Sequence, residues 1–214
     1  MIIRAGNLSI QCLILGNLMT NCYVLTVGDM CCWVVDPGLS PGPLLEFLDK
    51  TGLKPERIIL THGHGDHIAG VSAVKEVYPD AVLTVPKADE FMLSSAAANM
   101  SAAFGFHVTA PSADQTVQAG DELRMGPLIW RVLDTAGHTP GGVSYYCAEA
   151  ETAITGDALF SESIGRTDIP GASEADLLKN IRENLMTLPD NVRVLPGHGP
   201  ISSIGHERKH NPFL

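Results

Sequence analysis

The sequence lacks several features that identify particular classes of protein. Its 214 residues contain no apolar run that reaches the roughly 18 residues of a membrane helix, so no membrane association is predicted. Lysine and arginine number 14 against 24 aspartates and glutamates, and the net charge of -10 excludes nucleic-acid binding through a broad basic face. Like-charge blocks, low-complexity segments and internal repeats are also absent from the sequence. The expected class is a globular protein.

Cysteine is scarce, and its spacing matches no redox motif. The five cysteines, an odd number without a C-x-x-C spacing, are Cys12, Cys22, Cys31, Cys32 and Cys147. Several lie in apolar runs, which predicts buried free thiols. A cysteine nucleophile is the alternative that this pattern favours less.

The N-terminal stretch MIIRAGNLSIQCLIL has a single basic residue followed by polar ones. It contains no small-residue cleavage site, so a secretory signal peptide is not expected. The predicted location is therefore the cytoplasm.

Segments typical of strands and of helices occur in groups along the chain. Strands are predicted for SIQCLIL, NCYVLTV and MCCWVVD near the start, and for PLIWRVLD, GVSYYCA and TAITGD later. Helices are predicted for PGPLLEFLDKTG, for IAGVSAVKEVYP and, with some irregularity, for KADEFMLSSAAANMSAAFGF. The clearest helix is SEADLLKNIRENLMTL, which Ser173 can cap. The sequence has no Gly/Ser-rich linker between them. The prediction is a single α/β domain over residues 1–214, with two sheets in its core and helices outside.

The stretch THGHGDHIAG gathers three histidines and an aspartate directly after the apolar run RIIL. If the chain stays extended there, His62 and His64 point to the same side. Asp66 and His67 follow where the chain turns into a helix, and the intervening glycines avoid crowding and can adopt positive φ. One loop can therefore present two ligand pairs, which suits two neighbouring metal ions better than one.

Two metal ions need further ligands, since zinc sites usually take about four or five. The sequence offers His138 in DTAGHTPGG, Asp157 in AITGDALF and His198 in VLPGHGP, each at a predicted strand end beside glycine. Taken alone, each histidine is more typical of an ordinary turn, and Asp157 of a cap. Beside the histidine-rich stretch, the three together favour a metal site.

These four segments together resemble the metallo-β-lactamase superfamily. T-H-x-H-x-D-H, A-G-H-T-P-G, T-G-D and P-G-H-G occur in the family's order between Asp36 in VVDPG and His198, and they are most similar to the glyoxalase II branch. The resemblance implies an αβ/βα sandwich, with two central mixed β-sheets flanked by helices. It also implies one ion held by His62, His64 and His138, a second held by Asp66, His67 and His198, and Asp157 bridging both together with a water or hydroxide.

Departures from the family pattern narrow the branch. True β-lactamases of the superfamily commonly have Arg in place of His67 or Cys in place of Asp157, so antibiotic hydrolysis is not expected as the main role. The segment SIGRTDIPG resembles both short glyoxalase II-like hydrolases and persulfide dioxygenases. Ile164 stands where the dioxygenases typically have Cys, and Ile169-Pro170 replaces Phe-Gln, which favours the hydrolases. The ending GHERKHNPFL also resembles the E-x-x-x-N-P ending of the short hydrolases.

The resemblance implies a hydrolase of thioesters such as S-lactoylglutathione, a small-molecule substrate. A hydroxide on two divalent ions attacks the carbonyl, and Asp66 orients it or takes its proton. Zn is the favoured metal, with Fe or Mn as alternatives. A mononuclear iron persulfide dioxygenase, another ester or lactone hydrolase of the superfamily, and a non-catalytic binding module remain open. Because only residues 199–214 follow His198, the extra C-terminal helical domain of full-length glyoxalase II is not expected.

Several other side chains are predicted to support this chemistry. Asp36, Thr61 and Thr139 are expected to hydrogen-bond the histidine ligands, with ordinary turn or cap roles as the alternative. Arg166 and Asp168 are interpreted as an internal ion pair that fixes a loop. Substrate binding by Arg166 is the alternative.

Overall fold

The computed structural model describes residues 2–28 and 31–214. The chain divides into two compact units. The first consists of the chain up to Val85 together with Glu90–Thr116. The second consists of Pro86–Asp89 and Val117–Leu214. Across the described ranges, no helix is long and apolar enough to cross a membrane. The interpretation of residues 1–214 as one domain stays a prediction.

The first unit is built on a mixed sheet. Its strands, in chain and spatial order, are β1 Ile2–Ala5, β2 Leu8–Leu15, β3 Thr20–Val27, β4 Cys31–Val35, β5 Lys54–Ile59, β6 Val82–Pro86 and β7 Gln115–Val117. β1 to β4 pair antiparallel, whereas β4, β5 and β6 are parallel neighbours. The carboxyl ends of parallel strands lie at one edge of a sheet. The residues that follow β4 and β5, Asp36 and the histidine-rich stretch, therefore meet at that edge.

Three α-helices belong to this unit: α1 Gly42–Thr51, α2 Gly65–Ile68 and α3 Val71–Val77. As predicted, α1 ends at Gly52, whose φ of 69° gives the left-handed cap that glycine favours. Leu44 and Leu48 of α1 and Val71 and Val74 of α3 enter one buried cluster with strand residues. That apolar face fixes both helices on the sheet.

The long helix predicted for KADEFMLSSAAANMSAAFGF is wrong. The structure has two 3₁₀ helices instead, Lys87–Ser94 and Ser101–Phe104. The Asn99 side chain donates to Met92 O at 3.0 Å and Val108 O at 2.9 Å, and accepts from Ser101 N at 3.1 Å. Met100 then takes a φ of 65°. A buried asparagine that hydrogen-bonds the backbone competes with a helix, and a left-handed residue ends one.

The second unit holds another mixed sheet. Its strands are β8 Glu122–Met125, β9 Leu128–Asp134, β10 Val143–Cys147, β11 Thr152–Gly156, β14 Arg193–Pro196 and β15 Ser202–Ser203, in the spatial order β15-β14-β11-β10-β9-β8. β11 and β14 are parallel neighbours. Asp157 follows β11 directly, and His198 follows β14 two residues after its end. The parallel pairing therefore brings two distant parts of the sequence to the same edge.

The remaining elements of this unit are the hairpin strands β12 Leu159–Phe160 and β13 Ser163–Ile164, and the helices α4 Glu174–Asn180 and α5 Ile204–His210. Ser173 caps α4 as predicted, because its Oγ accepts from Asp176 N at 3.3 Å. The predicted helix then continues as a π-helical turn, Ile181–Leu185. Leu177, Ile181 and Leu185 are all fully buried in the unit's apolar cluster.

Asp114 joins three parts of the first unit, and its replacement by Asn is expected to lower the free energy of unfolding by about 1 kcal/mol. Its Oδ2 accepts from Leu83 N at 2.8 Å and from Lys75 Nζ at 2.9 Å. These hydrogen bonds, that of Leu83 first, lower the pKa of the Asp114 carboxyl in the folded chain. The stabilisation is thus complete above the unfolded value of about 3.9 and is lost as the pH falls through the folded value.

Urea unfolding of the parent chain and Asp114→Asn, at neutral pH and in acid, measures this difference. It should be largest at neutral pH and shrink as the solution is acidified. A difference that stays constant over that range would contradict the assignment.

Candidate metal centre

The loop after β5 brings the residues of the histidine-rich stretch together. His62, His64 and His67 are buried, and the ring centroid of His62 lies 4.9 Å from that of His64 and 4.2 Å from that of His67. His64 has an extended backbone, and α2 begins at the next residue. That turn places Asp66 in the first helical turn, with its Oδ2 3.5 Å from His67 Nε2. Three imidazoles and a carboxylate therefore share one buried loop.

Gly65 allows the histidine loop to pack closely against Ser101 because it has no side chain. The sequence predicts that Gly65 can adopt a positive φ, but this residue begins α2 with a helical backbone. A Cβ added to Gly65 would lie 2.7 Å from the Ser101 Cβ and 3.2 Å from Asn99 O. Gly65 N also donates to Asn99 O at 2.7 Å. A larger residue would push the histidine loop away from its neighbour.

Asp36 is the buried acceptor on which the loop is organised. Its Oδ1 accepts from Thr61 N at 2.8 Å, and its Oδ2 accepts from Thr61 Oγ1 at 2.6 Å. The same Oδ2 lies 3.0 Å from His67 Nδ1. Asp36 has a φ of 47°, a strained value for a residue other than glycine, and such strain is maintained only where surrounding contacts hold it. The predicted role of Asp36 beside the histidines agrees with these contacts.

The hydrogen bonds of Asp36 determine which ring nitrogens carry lone pairs. His67 Nδ1 donates to the carboxylate, so Nε2 carries the lone pair of the neutral ring. Thr61 Oγ1 gives its own hydrogen to Asp36 and therefore accepts from His62 Nδ1 at 3.0 Å. His62 is thus the same tautomer. Asp36, His62 and His67 offer atoms within 4.8 Å of one another, but the bonds of Asp36 make it an orienting group rather than a ligand.

In the second unit, one carboxylate lies beside two histidines. Asp157 Oδ2 is 3.6 Å from His138 Nε2 and 3.6 Å from His198 Nε2. His138 Nδ1 lies 2.8 Å from the carbonyl oxygen of Arg166, which can only accept. Nε2 of a neutral His138 therefore presents its lone pair toward Asp157. The parallel ends of β11 and β14 place Asp157 and His198 together, although they are far apart in sequence.

These contacts match the donor set of a cation site. In each unit an imidazole Nε2 lone pair lies close to a carboxylate oxygen, His67 to Asp66 and His138 to Asp157. Two acceptor atoms repel unless positive charge lies beside them. Protonating several buried rings at separations of 4.2 to 4.9 Å would place like charges together at low dielectric. Imidazole nitrogen and carboxylate oxygen are ligands of zinc and related divalent ions, so the residues fit such ions.

The loop that carries His138 is braced by a residue that the sequence did not indicate. The buried carboxylate of Asp89 accepts from Thr139 Oγ1 at 2.7 Å and from Gly141 N at 2.6 Å. Thr139 therefore bonds Asp89, and the partner found for His138 Nδ1 is the backbone carbonyl of Arg166. Asp89 lies in a segment predicted as a helix with some irregularity, where nothing in the spacing distinguishes it.

Arg166 and Asp168 form the predicted ion pair. Arg166 Nε and Nη2 donate to the two carboxylate oxygens at 2.8 and 2.9 Å. Both side chains are exposed, at 57% and 70%. The contact of this residue with His138 is made by the Arg166 backbone carbonyl, not by the ion-paired side chain. Substrate binding by the guanidinium stays a prediction.

Three of the five cysteine thiols do not have the character of a nucleophile. Cys22, Cys32 and Cys147 are buried as predicted, whereas Cys31 is exposed. Burial raises the pKa of Cys22 well above its ordinary value, that of Cys32 to about 12 and that of Cys147 to about 11. Reactive cysteines have lowered pKa values. These three buried thiols therefore remain protonated near neutral pH.

The chain belongs to the metallo-β-lactamase superfamily, whose family model matches residues 15–198. The probable metallo-hydrolase YqgX of Bacillus subtilis (strain 168) is 39% identical over 200 residues, which cover 93% of this chain and 94% of the relative. The hydroxyacylglutathione hydrolase GloC of Haemophilus influenzae is 31% identical over 196 residues, covering 91% of this chain and 92% of that protein. Both similarities extend over nearly the whole chain.

Solved structures show the same fold. BLEG-1 B3 metallo-β-lactamase matches with a TM-score of 0.92 at 36% identity, covering 96% of this chain and 99% of that one. TTHA1623 in a di-iron-bound form has a TM-score of 0.86 at 34% identity, with coverages of 95% and 100%. ETHE1 from Myxococcus xanthus has a TM-score of 0.78 at 28% identity, with coverages of 95% and 83%. The predicted α/β class, with two mixed sheets and flanking helices, is confirmed.

Replacement of Asp36 by Asn is expected to lower metal affinity about 10- to 100-fold, the range known for residues that orient metal ligands. A carboxylate accepts from three donors here, whereas an amide has a single oxygen and would direct its own NH₂ at another donor. Competition with a chromophoric chelator measures the affinity.

Asp114→Asn is the matched control, because it removes a carboxylate of the same unit that accepts from backbone and lysine donors instead. Equal affinities of the parent chain and Asp36→Asn would contradict the orienting role.

Replacement of Gly165 by Ala is expected to reduce both thermal stability and metal content. A Cβ there would overlap the Asp157 carbonyl oxygen and lie 3.1 Å from His138 Cγ. The backbone atom cannot turn aside as a flexible side chain would, so Asp157 or the Gly165 segment must shift. Gly42→Ala is the control, because a Cβ at Gly42 meets nothing within 4 Å. Thermal melts and metal analysis of both variants test this, and parent-like results for Gly165→Ala would contradict it.

Proposed function

We propose that the chain is a dinuclear metal-dependent hydrolase of thioesters such as S-lactoylglutathione. The proposed ligand set assigns His62, His64 and His138 to one ion, Asp66, His67 and His198 to the other, and Asp157 to both. Zn is the favoured metal. The proposed partner is a small-molecule substrate, and the cytoplasm is the expected location.

The observation that carries the proposal is the approach of lone-pair atoms to one another in each unit. His67 Nε2 lies 3.5 Å from Asp66 Oδ2, and His138 Nε2 lies 3.6 Å from Asp157 Oδ2, with the opposite ring nitrogens engaged by oxygen acceptors. Such contacts are favourable with a cation between the atoms. The 31% identity to a hydroxyacylglutathione hydrolase supports the choice of a thioester.

Asp66 is the residue proposed to act on the water that attacks the carbonyl. Bound divalent ions would supply an electrophile for the carbonyl oxygen and lower the pKa of water to about 7. Asp66, a proposed ligand, has its Oδ2 within 3.3 Å of Thr20 Oγ1, which orients the carboxylate. A carboxylate held this way can orient the attacking water and accept its proton. The burial of His62, His64 and His67 limits the access of bulk water to this loop.

The leaving group favours thioesters over amides. A thiolate, with a conjugate-acid pKa of about 8.5, departs without prior protonation. An amide nitrogen requires a proton from an acid, and the four motifs T-H-x-H-x-D-H, A-G-H-T-P-G, T-G-D and P-G-H-G contain no carboxyl group beyond the proposed metal ligands. Thioesters and activated esters therefore suit this residue set better than peptides.

Three alternatives concern the metal, the reaction and the substrate. TTHA1623, which is 34% identical to this chain, has a di-iron-bound form. This similarity supports iron as an alternative metal. Persulfide oxidation by a mononuclear iron dioxygenase is the alternative reaction. It is less favoured because Ile164 and Ile169 replace residues that are typical of those dioxygenases. BLEG-1 is described as a B3 metallo-β-lactamase at 36% identity, so a β-lactam belongs in any substrate test.

Turnover and metal content of the same metal-replete sample test the proposal. The panel comprises S-lactoylglutathione, a glutathione persulfide, an acyl lactone and a β-lactam. We expect two tightly bound ions per chain and the highest kcat/KM for the thioester. His64→Ala should lose metal and turnover together, whereas His107→Ala, a histidine outside the motifs, should retain both.

Other outcomes distinguish the alternatives. A single iron with oxygen uptake on the persulfide would establish the dioxygenase instead. Preferred turnover of the lactone or the β-lactam would replace the thioester as the substrate class. Fewer than one tightly bound ion per metal-replete chain would remove the hydrolase proposal altogether. In the same panel, Arg166→Met should raise KM for the anionic thioester without changing metal content if the guanidinium contacts the substrate.

A further inference from the structure

Helix α5 carries a buried carboxylate that the proposed reaction does not use. Glu207 is 0% exposed. Its oxygens accept from Glu162 N at 2.8 Å, from Asn211 Nδ2 at 2.9 Å and from Ser202 Oγ. Asn211, one helical turn later, also donates from Nδ2 to Ser163 O at 3.0 Å. Glu207 and Asn211 are the E and N of the E-x-x-x-N-P ending.

These two residues hold the turn of the β12–β13 hairpin. Glu162, at the turn, has a φ of 56°, a left-handed conformation that costs energy for a residue other than glycine. Its backbone N–H points to Glu207, and the carbonyl of the next residue, Ser163, accepts from Asn211. The strained turn is therefore fixed at the backbone of two successive residues, by Glu207 of α5 and by Asn211, which follows α5.

The hairpin leads directly to the residues that contact His138 and Asp157. β13 ends at Ile164, and Gly165 N donates to Ala158 O at 3.2 Å. Gly165 packs so closely on the Asp157 carbonyl that a Cβ would overlap it. The next carbonyl, that of Arg166, accepts from His138 Nδ1. The position of β13 therefore determines the place of the acceptor that sets the His138 tautomer.

We propose that Glu207 and Asn211 are positioning residues for His138. They act through the hairpin, because they fix its turn, the turn fixes β13, and β13 places the Arg166 carbonyl beside the imidazole. The inference rests on the proposed function only in taking His138 as a metal ligand. The E-x-x-x-N-P segment thereby gains a role in metal binding in addition to its contacts with the hairpin.

Arg208, the neighbour of Glu207 on α5, offers a control that weakens the packing of α5 without touching the hairpin. Arg208 donates to Met186 O and Leu188 O, both at 2.7 Å, and pairs with Asp190. These partners lie in the segment after α4, outside the hairpin. Loss of the Arg208 side chain therefore loosens α5 while leaving the hydrogen bonds to Glu162 and Ser163 in place.

The test compares Glu207→Ala, Asn211→Ala and Arg208→Ala with the parent chain. Hydrogen exchange of peptides covering residues 157–168, measured on the metal-free protein, reports the hairpin directly. Chelator competition reports zinc affinity, and thermal melts report stability. We expect faster exchange at the hairpin and about tenfold weaker zinc binding in Glu207→Ala and Asn211→Ala, the lower end of the range for outer residues of metal sites.

Arg208→Ala should lower stability without changing either the hairpin exchange or the zinc affinity. Glu207→Gln should restore parent-like affinity, because its oxygen can accept from Glu162 N and its NH₂ can donate to the Ser202 hydroxyl. If Glu207→Ala does not fold, Asn211→Ala decides the matter.

Unchanged zinc affinity despite a loosened hairpin, or an equal loss of affinity in Arg208→Ala, would overturn the proposal. Because zinc affinity is measured without substrate, absent thioester turnover in the parent chain would end the proposed function and leave this inference standing.

Discussion

The hydrogen bonds of the Asp36 carboxylate are the interaction on which the histidine loop depends. One buried side chain receives the backbone N–H and the hydroxyl of Thr61 and the Nδ1 of His67, and through Thr61 it also sets the ring of His62. A buried carboxylate is stable only with such donors around it. The parallel pairing of β4 and β5 brings Asp36 to the strand end from which the histidines emerge. The strand pairing of the fold therefore also places the carboxylate that orients the histidines.

In the second unit, other groups orient the histidine ring and bring the carboxylate beside it. Here the His138 ring is set by a backbone carbonyl, its loop is braced by Asp89, and Asp157 arrives on the strand paired with β14. The Arg166 carbonyl follows a hairpin whose strands have only two residues each. The hairpin is held from outside by α5, whose Glu207 is buried as completely as His67. In both units, groups remote from the histidine Nε2 atoms decide where those atoms point.

Local patterns in the sequence predicted much of this structure. The strands rich in β-branched residues, the α1 stop at Gly52 and the Ser173 cap depend on near neighbours and were predicted correctly. The prediction for 87–106 was wrong because Asn99 bonds atoms that are not adjacent in sequence. Asp89 was missed for a similar reason, since its partners Thr139 and Gly141 lie about fifty residues away. Long-range hydrogen bonds leave no periodic signal in the chain.

The hydrogen bonds that fix His62, His67 and His138 also bear on how the chain acquires its cation. Their acceptors are protein oxygens, so the rings are ordered during folding and little ordering entropy is incurred at cation capture. The proposed ions would therefore bind to loops that are already folded, unlike the ions of small domains that fold only around their metal. Occupancy of such sites follows the Irving–Williams ranking weighted by the abundance of each ion. The element recovered with the protein would therefore reflect the growth medium of the cell that made it.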